Sequence, residues 1–183
     1  MNEEQIRRIV ESVVDRLLAQ GDSSESRAAA GGSGKSVALG ADHGGFELKE
    51  HLKGFLSGLG YRVLDRGTHS KDSVDYPDFA VAVARAVSAG EADAGIMLDG
   101  AGIGSSMAAN KVKGVRAALC YNEKTIINSR SHNNANMLTL GAPFHSPAEA
   151  EKLTRLWLET EFEGGRHAKR VDKIDALDCG CNG

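Results

Sequence analysis

Between residues 37 and 159, short apolar runs alternate five times with amphipathic stretches, and this repetition limits the fold more than any other feature of the chain. The strand-like runs are Val37–Ala41, Arg62–Asp65, Ala94–Leu98, Val115–Cys120 and Met137–Gly141. Between and after them lie Phe46–Leu59, Phe79–Ala89, Ser105–Lys111, Glu123–His132 and Pro147–Glu159. In the first of these, Phe46, Leu48, Leu52, Phe55, Leu56 and Leu59 recur at helical spacing. Strands buried on both faces read as short, nearly continuous apolar runs, which is how a parallel sheet covered by helices looks in sequence. The pattern predicts an α/β fold: a doubly wound five-stranded parallel sheet in a Rossmann-like three-layer sandwich. The alternation does not specify the strand order.

Residues 37–174 form the predicted domain, and the rest of the 183-residue chain reads differently. Residues 20–36, QGDSSESRAAAGGSGKS, hold no large apolar side chain and are expected to be a flexible linker. Before them, residues 1–19 have the spacing of an amphipathic helix, and residues 175–183 form a short tail ending DCGCNG. A net charge of −3 argues against a dedicated nucleic-acid surface. No apolar run approaches the roughly 18 residues of a membrane span, and charges interrupt the N-terminal stretch too often for a secretory signal. Three cysteines, Cys120, Cys179 and Cys181, make no disulfide framework and suit a reducing cytoplasm. There is no HxxxH, HExxH or paired CxxC, so neither a metal nor another cofactor is expected.

In open α/β sheets, ligands bind beyond the carboxyl ends of the strands. Polar and glycine residues concentrate there. Asp99-Gly100-Ala101-Gly102-Ile103-Gly104-Ser105 lies between a strand and a helix, where glycine lets backbone N–H groups approach an anion. The same glycines also suit a tight turn. Asp42 and His43 follow the first strand; they can orient a sugar hydroxyl, or Asp42 can cap the next helix. His132 ends a helix, where an imidazole serves as a proton shuttle or as a cation favoured by the helix dipole. Arg166 and Arg170, four apart, share a face if helical and can grip one phosphate, or they form a solvated basic surface. His51, His69 and His145 have no partner spacing and read as ordinary surface or loop residues.

Five longer stretches occur in order: GADHGGFELKEHLK, SVDYPDFA, GAGIGSSMAANKVKGVRAALC, SRSHNNANMLTLGA and EFEGGRHAKRV. Together they closely resemble the family of ribose-5-phosphate isomerase B and the two galactose-6-phosphate isomerase subunits. The resemblance implies a homodimer with sites at the subunit interface and metal-free aldose–ketose isomerisation of a phosphorylated sugar. It implies that Asp42 and His43 hold the sugar, and that the backbone of Gly100, Ala101, Gly102, Ile103 and Gly104 binds the enediolate oxygens. His132 would assist ring opening and Asn133 would contact substrate. Arg166 and Arg170 would grip the phosphate, these last four residues coming from the neighbouring subunit.

Three positions depart from the ribose-5-phosphate isomerase pattern. The base, usually cysteine, is Asp99; the next-but-one residue, usually Thr or Ser, is Ala101; and an arginine after the fifth strand is replaced by Pro143. Aspartate at the base position resembles the A subunit of galactose-6-phosphate isomerase, which relies on a partner subunit for the cysteine. Two readings follow: Asp99 is the base, or the chain binds a sugar phosphate, or completes a heteromeric enzyme, without turning it over well.

In residues 1–19, Ile6, Ile9, Val10, Val13 and Leu17 fall within about 100° of helical arc. An isolated helix of this length is marginal in water and needs a partner for that face. With its linker it resembles the encapsulation peptides that load enzymes into bacterial microcompartments, which implies a shell protein as partner and a microcompartment lumen as location. A two-heptad coiled coil and docking on the chain's own domain are the alternatives.

Overall fold

A computed structural model of the chain describes residues 34–178 together with Glu4 and Glu11. The expectations for residues 1–19, for most of the linker and for Cys179 and Cys181 fall outside the described residues. The strands are β1 (Ser36–Ala41), β2 (Arg62–Asp65), β3 (Ala94–Asp99), β4 (Ala117–Leu119) and β5 (Met137–Gly141). The helices are α1 (Phe46–Gly58), α2 (Tyr76–Ser88), α3 (Ile103–Ala109), α4 (Glu123–Ser131), α5 (Pro147–Glu159) and α6 (Ala168–Leu177). No helix among the described residues is long and apolar enough to cross a membrane.

The boundaries shift for local reasons. Helix α2 starts at Tyr76 because Pro77 sits in its first turn, where a missing N–H costs no helical bond. Strand β4 is shorter than its apolar run, since the Val115 N–H turns back to the Val112 carbonyl. Ser36 belongs to the sheet rather than to the linker, its amide and hydroxyl donating to Asp93 Oδ2 at 2.7 and 2.9 Å. Helix α6 runs past residue 174, tied down by Arg116–Asp175 at 2.7 Å and by the Gly114 amide on Asp178 at 2.6 Å.

All strand pairs are parallel, in the order β2-β1-β3-β5-β4. The two-residue strand period sorts the core into two layers. Val37, Leu39, Ile96, Leu98, Leu138 and Leu140 face α1, α4 and α5, meeting Leu52, Leu56, Ile126, Leu153 and Trp157. Ala38, Met97 and Met137 face the other way, against Ala80, Val83 and Ala84 of α2 and Ala109 of α3. The second layer is thin because its residues are small. A Cβ on Gly40 would lie 2.5 Å from Val83 Cγ2, so α2 rests almost on the strand backbone.

Connections leave β1 and β3 toward opposite edges of the sheet, so the chain ends of these neighbouring strands form the switch-point crevice. One buried ion cluster braces the turn beside it. Lys49 has no exposed side-chain surface, and its Nζ donates to Asp65 Oδ2 at 2.7 Å and Glu50 Oε1 at 2.6 Å. Lys53 donates to the same Asp65 oxygen at 2.8 Å. Burial pushes the Asp65 carboxyl up, but hydrogen bonds from Lys49, Lys53 and the Gly67 amide outweigh it and hold the group below its ordinary value.

Removing that charge leaves the buried Lys49 ammonium with only the exposed Glu50 as a carboxylate partner. Asp65→Asn is expected to lower unfolding stability by about 3–5 kcal/mol in chemical denaturation. Because the folded-state value is depressed, the Asp65 contribution is complete above the ordinary carboxylate range and is lost as pH falls through the lower, folded value. The variant's stability is therefore expected to fall less steeply on acidification than that of the unmodified chain.

Candidate active site

The first polar cluster sits at the carboxyl ends of β1 and β3. Asp42 closes the turn after β1, its Oδ1 accepting the amides of Gly44 at 2.9 Å and Gly45 at 3.0 Å. These bonds close a turn rather than cap the helix: Gly45 is the N-cap of α1 and no side chain caps it, so the capping alternative for Asp42 is not realised, and its carboxylate remains beside the crevice. His43 is exposed, and its Nδ1 accepts the Val74 amide at 3.2 Å, which orients the ring and leaves Nε2 facing outward as the donor.

Asp99 ends β3 and is buried. Its Oδ1 accepts the amides of Ala101, at 2.8 Å, and Gly102, while Oδ2 accepts the hydroxyl of Ser105 and, at 3.3 Å, its amide. Four donors occupy all the acceptor directions of one carboxylate. The amides of Gly100, Ile103 and Gly104 make no hydrogen bond to the described residues. Of the five backbone donors expected in this loop, two are thus spent on Asp99 and three are open, two of them in the first turn of α3, where helical N–H groups lack intrahelical partners. Gly102 adopts φ +75°, and the ring of Tyr76 lies over Gly104 so closely that a Cβ there would be 2.4 Å from Cζ. Tyr121 braces the loop from the other side, its hydroxyl donating to the Ala101 carbonyl at 2.9 Å.

The second cluster lies elsewhere. Helix α4 runs antiparallel to the strands, so its end is at their amino edge, some 14 Å of helix away from the crevice. Asn122 caps its start in a capping box with Thr125, and Asn134 closes its end in a left-handed conformation, φ 46°. His132 follows the last turn, its Nδ1 3.0 Å from Asn128 Nδ2, and Asn133 donates to Asn128. Helix α5 returns to the same edge, and the Glu163 amide donates to the Ser131 carbonyl at 3.0 Å. That places His167 flat against His132, ring centroids 4.0 Å apart at an angle of 9°. Burial, then the neighbouring His132 and Arg166, hold the His167 imidazole below its ordinary value.

Arg166 and Arg170 reach this edge but do not share a helical face. Gly164 and Gly165 adopt positive φ, the turn extends through His167, and only Arg170 lies in α6. Pro143 stands in a short 3-10 turn, Ala142–Phe144, after β5. His145 is not a surface residue: it is buried beside Tyr121 with neither ring nitrogen hydrogen-bonded, because the preceding turn tucks it inward. The sequence marks Ser105 only as the end of the glycine-rich loop and does not single out Tyr76, Glu163 or His167. The signal for the last two was their spacing of four in EGGRH, hidden because that segment is a turn, not a helix.

Fold and clusters define a doubly wound α/β protein with an anion-receptive loop at the switch point and a basic imidazole cluster at the opposite edge. Residues 37–174 match the Ribose/Galactose Isomerase family. Ribose-5-phosphate isomerase B of Escherichia coli is 42% identical over 144 residues, covering 79% of this chain and 97% of that protein. Galactose-6-phosphate isomerase subunit LacA 2 of Streptococcus pyogenes is 37% identical over 142 residues, covering 78% and 99%. Among solved structures, Clostridium thermocellum ribose-5-phosphate isomerase B shares 48% identity with TM-score 0.78, covering 79% of this chain and 98% of that one. The Mycoplasma genitalium enzyme, solved with bound ribulose-5-phosphate, shares 40% with TM-score 0.76, covering 80% and 98%. The chain belongs to the ribose/galactose isomerase family.

The loop's shape depends on Gly102. A Cβ there would meet Leu119 Cδ1 at 2.5 Å in addition to the strain of positive φ. Gly102→Ala is expected to destabilise the protein by about 1–3 kcal/mol, read as a lower thermal midpoint.

Proposed function

We propose that this chain is an aldose–ketose isomerase of a phosphorylated sugar, ribose 5-phosphate to ribulose 5-phosphate, acting as a homodimer whose sites each draw on two chains. The observation that carries this reading is the family match over residues 37–174, which includes both polar clusters. In one chain the clusters lie at opposite ends of the sheet, too far apart to share a small sugar. A second copy supplies His132, Asn133, Arg166 and Arg170 to the crevice of the first. Exposed apolar side chains rim that crevice, including Tyr76, Ile103, Met107 and Phe144, and a second copy would cover them.

In this reading Arg166 and Arg170 hold the phosphate, and Asn133, Asp42 and His43 position the sugar hydroxyls. His132 moves the proton that opens the ring. Asp99 takes the proton from C2 of the open aldose and returns it to C1 of the enediolate. The open amides of Gly100, Ile103 and Gly104 hold the negative oxygen formed in between, each such donor being worth about 3–4 kcal/mol in comparable sites. For Asp99 to accept a proton from carbon, one donor must leave it. The Ser105 hydroxyl is the partner able to rotate away, since the amides are fixed in the loop.

The full engagement of the Asp99 carboxylate favours a second reading as well: a sugar-phosphate binder or partner subunit with weak turnover. Mixing separates the two. Asp99→Asn and His132→Asn are each expected to lose about 10²–10⁴-fold in turnover. Dissociated and reassociated together, they should recover about a quarter of the unmodified activity, because half the dimers are mixed and each has one intact site. Absence of recovery would sink the shared site. Equally negligible turnover in Asp99→Asn and the unmodified chain would sink the catalytic reading and leave the binding one, whereas equal and substantial turnover would sink Asp99 as base alone.

We also propose that residues 1–19 direct the enzyme into a bacterial microcompartment by docking on a shell protein. What supports this is that a match over 79% of the chain already covers 97% of the Escherichia coli relative and that the family match begins only at residue 37, which leaves residues 1–19 outside the family match. Deleting residues 1–20 is expected to abolish co-sedimentation with shells while leaving isomerase turnover unchanged.

A further inference from the structure

Outside the reacting groups assigned above, one constellation stands out. Glu163 has no part in the proposed chemistry, yet its Oε2 lies 3.7 Å from the Nε2 atoms of both His132 and His167. One ligand atom from each of the three residues falls within 4.8 Å of the other two. His167 is buried, His132 half-buried, and Glu163 closes the group from the solvent side. The two imidazoles are stacked 4.0 Å apart, so both present their edges to the same carboxylate.

We infer that His132, Glu163 and His167 form a binding site for a divalent transition ion, zinc or a neighbour in its series, and that the bound ion blocks the isomerase. The inhibitory half rests on the role proposed for His132; the binding half does not. Two imidazoles and one carboxylate are a donor set for zinc, cobalt, nickel or copper, whereas magnesium and calcium prefer oxygen alone. Because the rings are stacked at an angle of 9°, their Nε2 lone pairs run parallel, so one ring must rotate out of the stack for both to converge on a single ion at ordinary metal–nitrogen distances. The Arg166 Nε donates to His167 Nε2 at 3.3 Å, so that nitrogen presents a lone pair which an ion can take once the exposed arginine swings out. Asn128, 3.0 Å from His132 Nδ1, is placed to steady the ring from behind by turning its amide oxygen toward an Nδ1 proton. An ion on Nε2 of His132 occupies the nitrogen needed for ring opening. The site would thus make turnover sensitive to free transition metal without any metal in the reaction.

The test uses the full chain, free of any tag, carrying Cys179→Ser and Cys181→Ser to remove competing thiolates. Cobalt(II) is titrated and followed by its visible absorption, and zinc by calorimetry. One equivalent is expected per chain, with no thiolate charge-transfer band. Zinc should suppress turnover, a chelator should restore it, and magnesium should do neither. Glu163→Gln should keep the basal turnover and shift both the binding and the inhibition midpoints by about 10–100-fold. Absence of stoichiometric binding, or binding unchanged in both Glu163→Gln and His167→Gln, would overturn the site. Metal binding that depends on Glu163 in a chain with no turnover on any sugar phosphate would uphold the site and sink the isomerase reading instead.

Discussion

The backbone approach between the β1 turn and the last residues of β3 organises everything at the crevice. A Cβ on Gly45 would stand 2.4 Å from the Leu98 carbonyl oxygen, and the Asp42 amide donates to that same oxygen at 3.2 Å. Only glycine allows the turn to sit so low on its neighbouring strand. The consequence is that Asp42, Gly44 and the start of the Asp99 loop share one small volume, with Gly44 close against Gly100. Parallel strand order at the switch point puts the two loops side by side, and the missing side chain at residue 45 lets them touch. The small residues behind them, Gly40 and Gly95 against Val83, draw α2 in and bring Tyr76 over Gly104.

Within that crevice, an aspartate where the family resemblance implies a cysteine reshapes the loop around it. A thiol is a weak acceptor and leaves nearby amides available, whereas a carboxylate recruits them. Asp99 has taken the Ala101 and Gly102 amides and the Ser105 side chain for itself. The loop is therefore held by its own first residue, and the open donors shift to Gly100 and the first turn of α3. Such a loop is ordered by its own carboxylate, whose acceptor directions are all filled. In the proposed isomerisation, release of the Ser105 hydroxyl limits the proton transfer, since the fixed amides cannot let go.

Much of this was legible in the sequence, for identifiable reasons. Continuous apolar runs and helical spacing located the five strands and the five α-helices of residues 36–159, though not the 3-10 turn Ala142–Phe144, because the apolar residues that set those patterns are the same ones that fill the two core layers. The strand ends were legible too, since glycine and aspartate cluster there, in Asp42–Gly45, Asp65–Gly67 and Asp99–Gly104. Strand order was not, because parallel crossovers of similar length permit several arrangements. The Arg166–Arg170 pair misled, as a spacing of four signals a shared face only inside a helix, and paired positive-φ glycines keep Arg166 out of one. Glu163 and His167 were invisible as partners of His132, thirty-odd residues away, until α5 carried the chain back to the same edge. Local pattern reports periodic packing; it does not report which loops a return helix brings together.

The direction of α4 then has a consequence for assembly. A helix joining two parallel strands must run against them, so a residue at its end is always at the opposite edge from the strand-end crevice. His132 at the end of α4 and Asp99 at the end of β3 cannot meet within one chain while both elements keep their hydrogen bonds. Any chemistry that uses both requires either unfolding of α4 or a second copy, and the capping box, the Asn134 turn and the Trp157 indole on Ser129 Oγ at 3.2 Å hold α4 in place. For the proposed isomerisation, assembly is therefore the route open to this fold. In the proposed reading, the imidazole pair and the two arginines at the amino edge of the sheet are one half of a site whose other half belongs to a second copy.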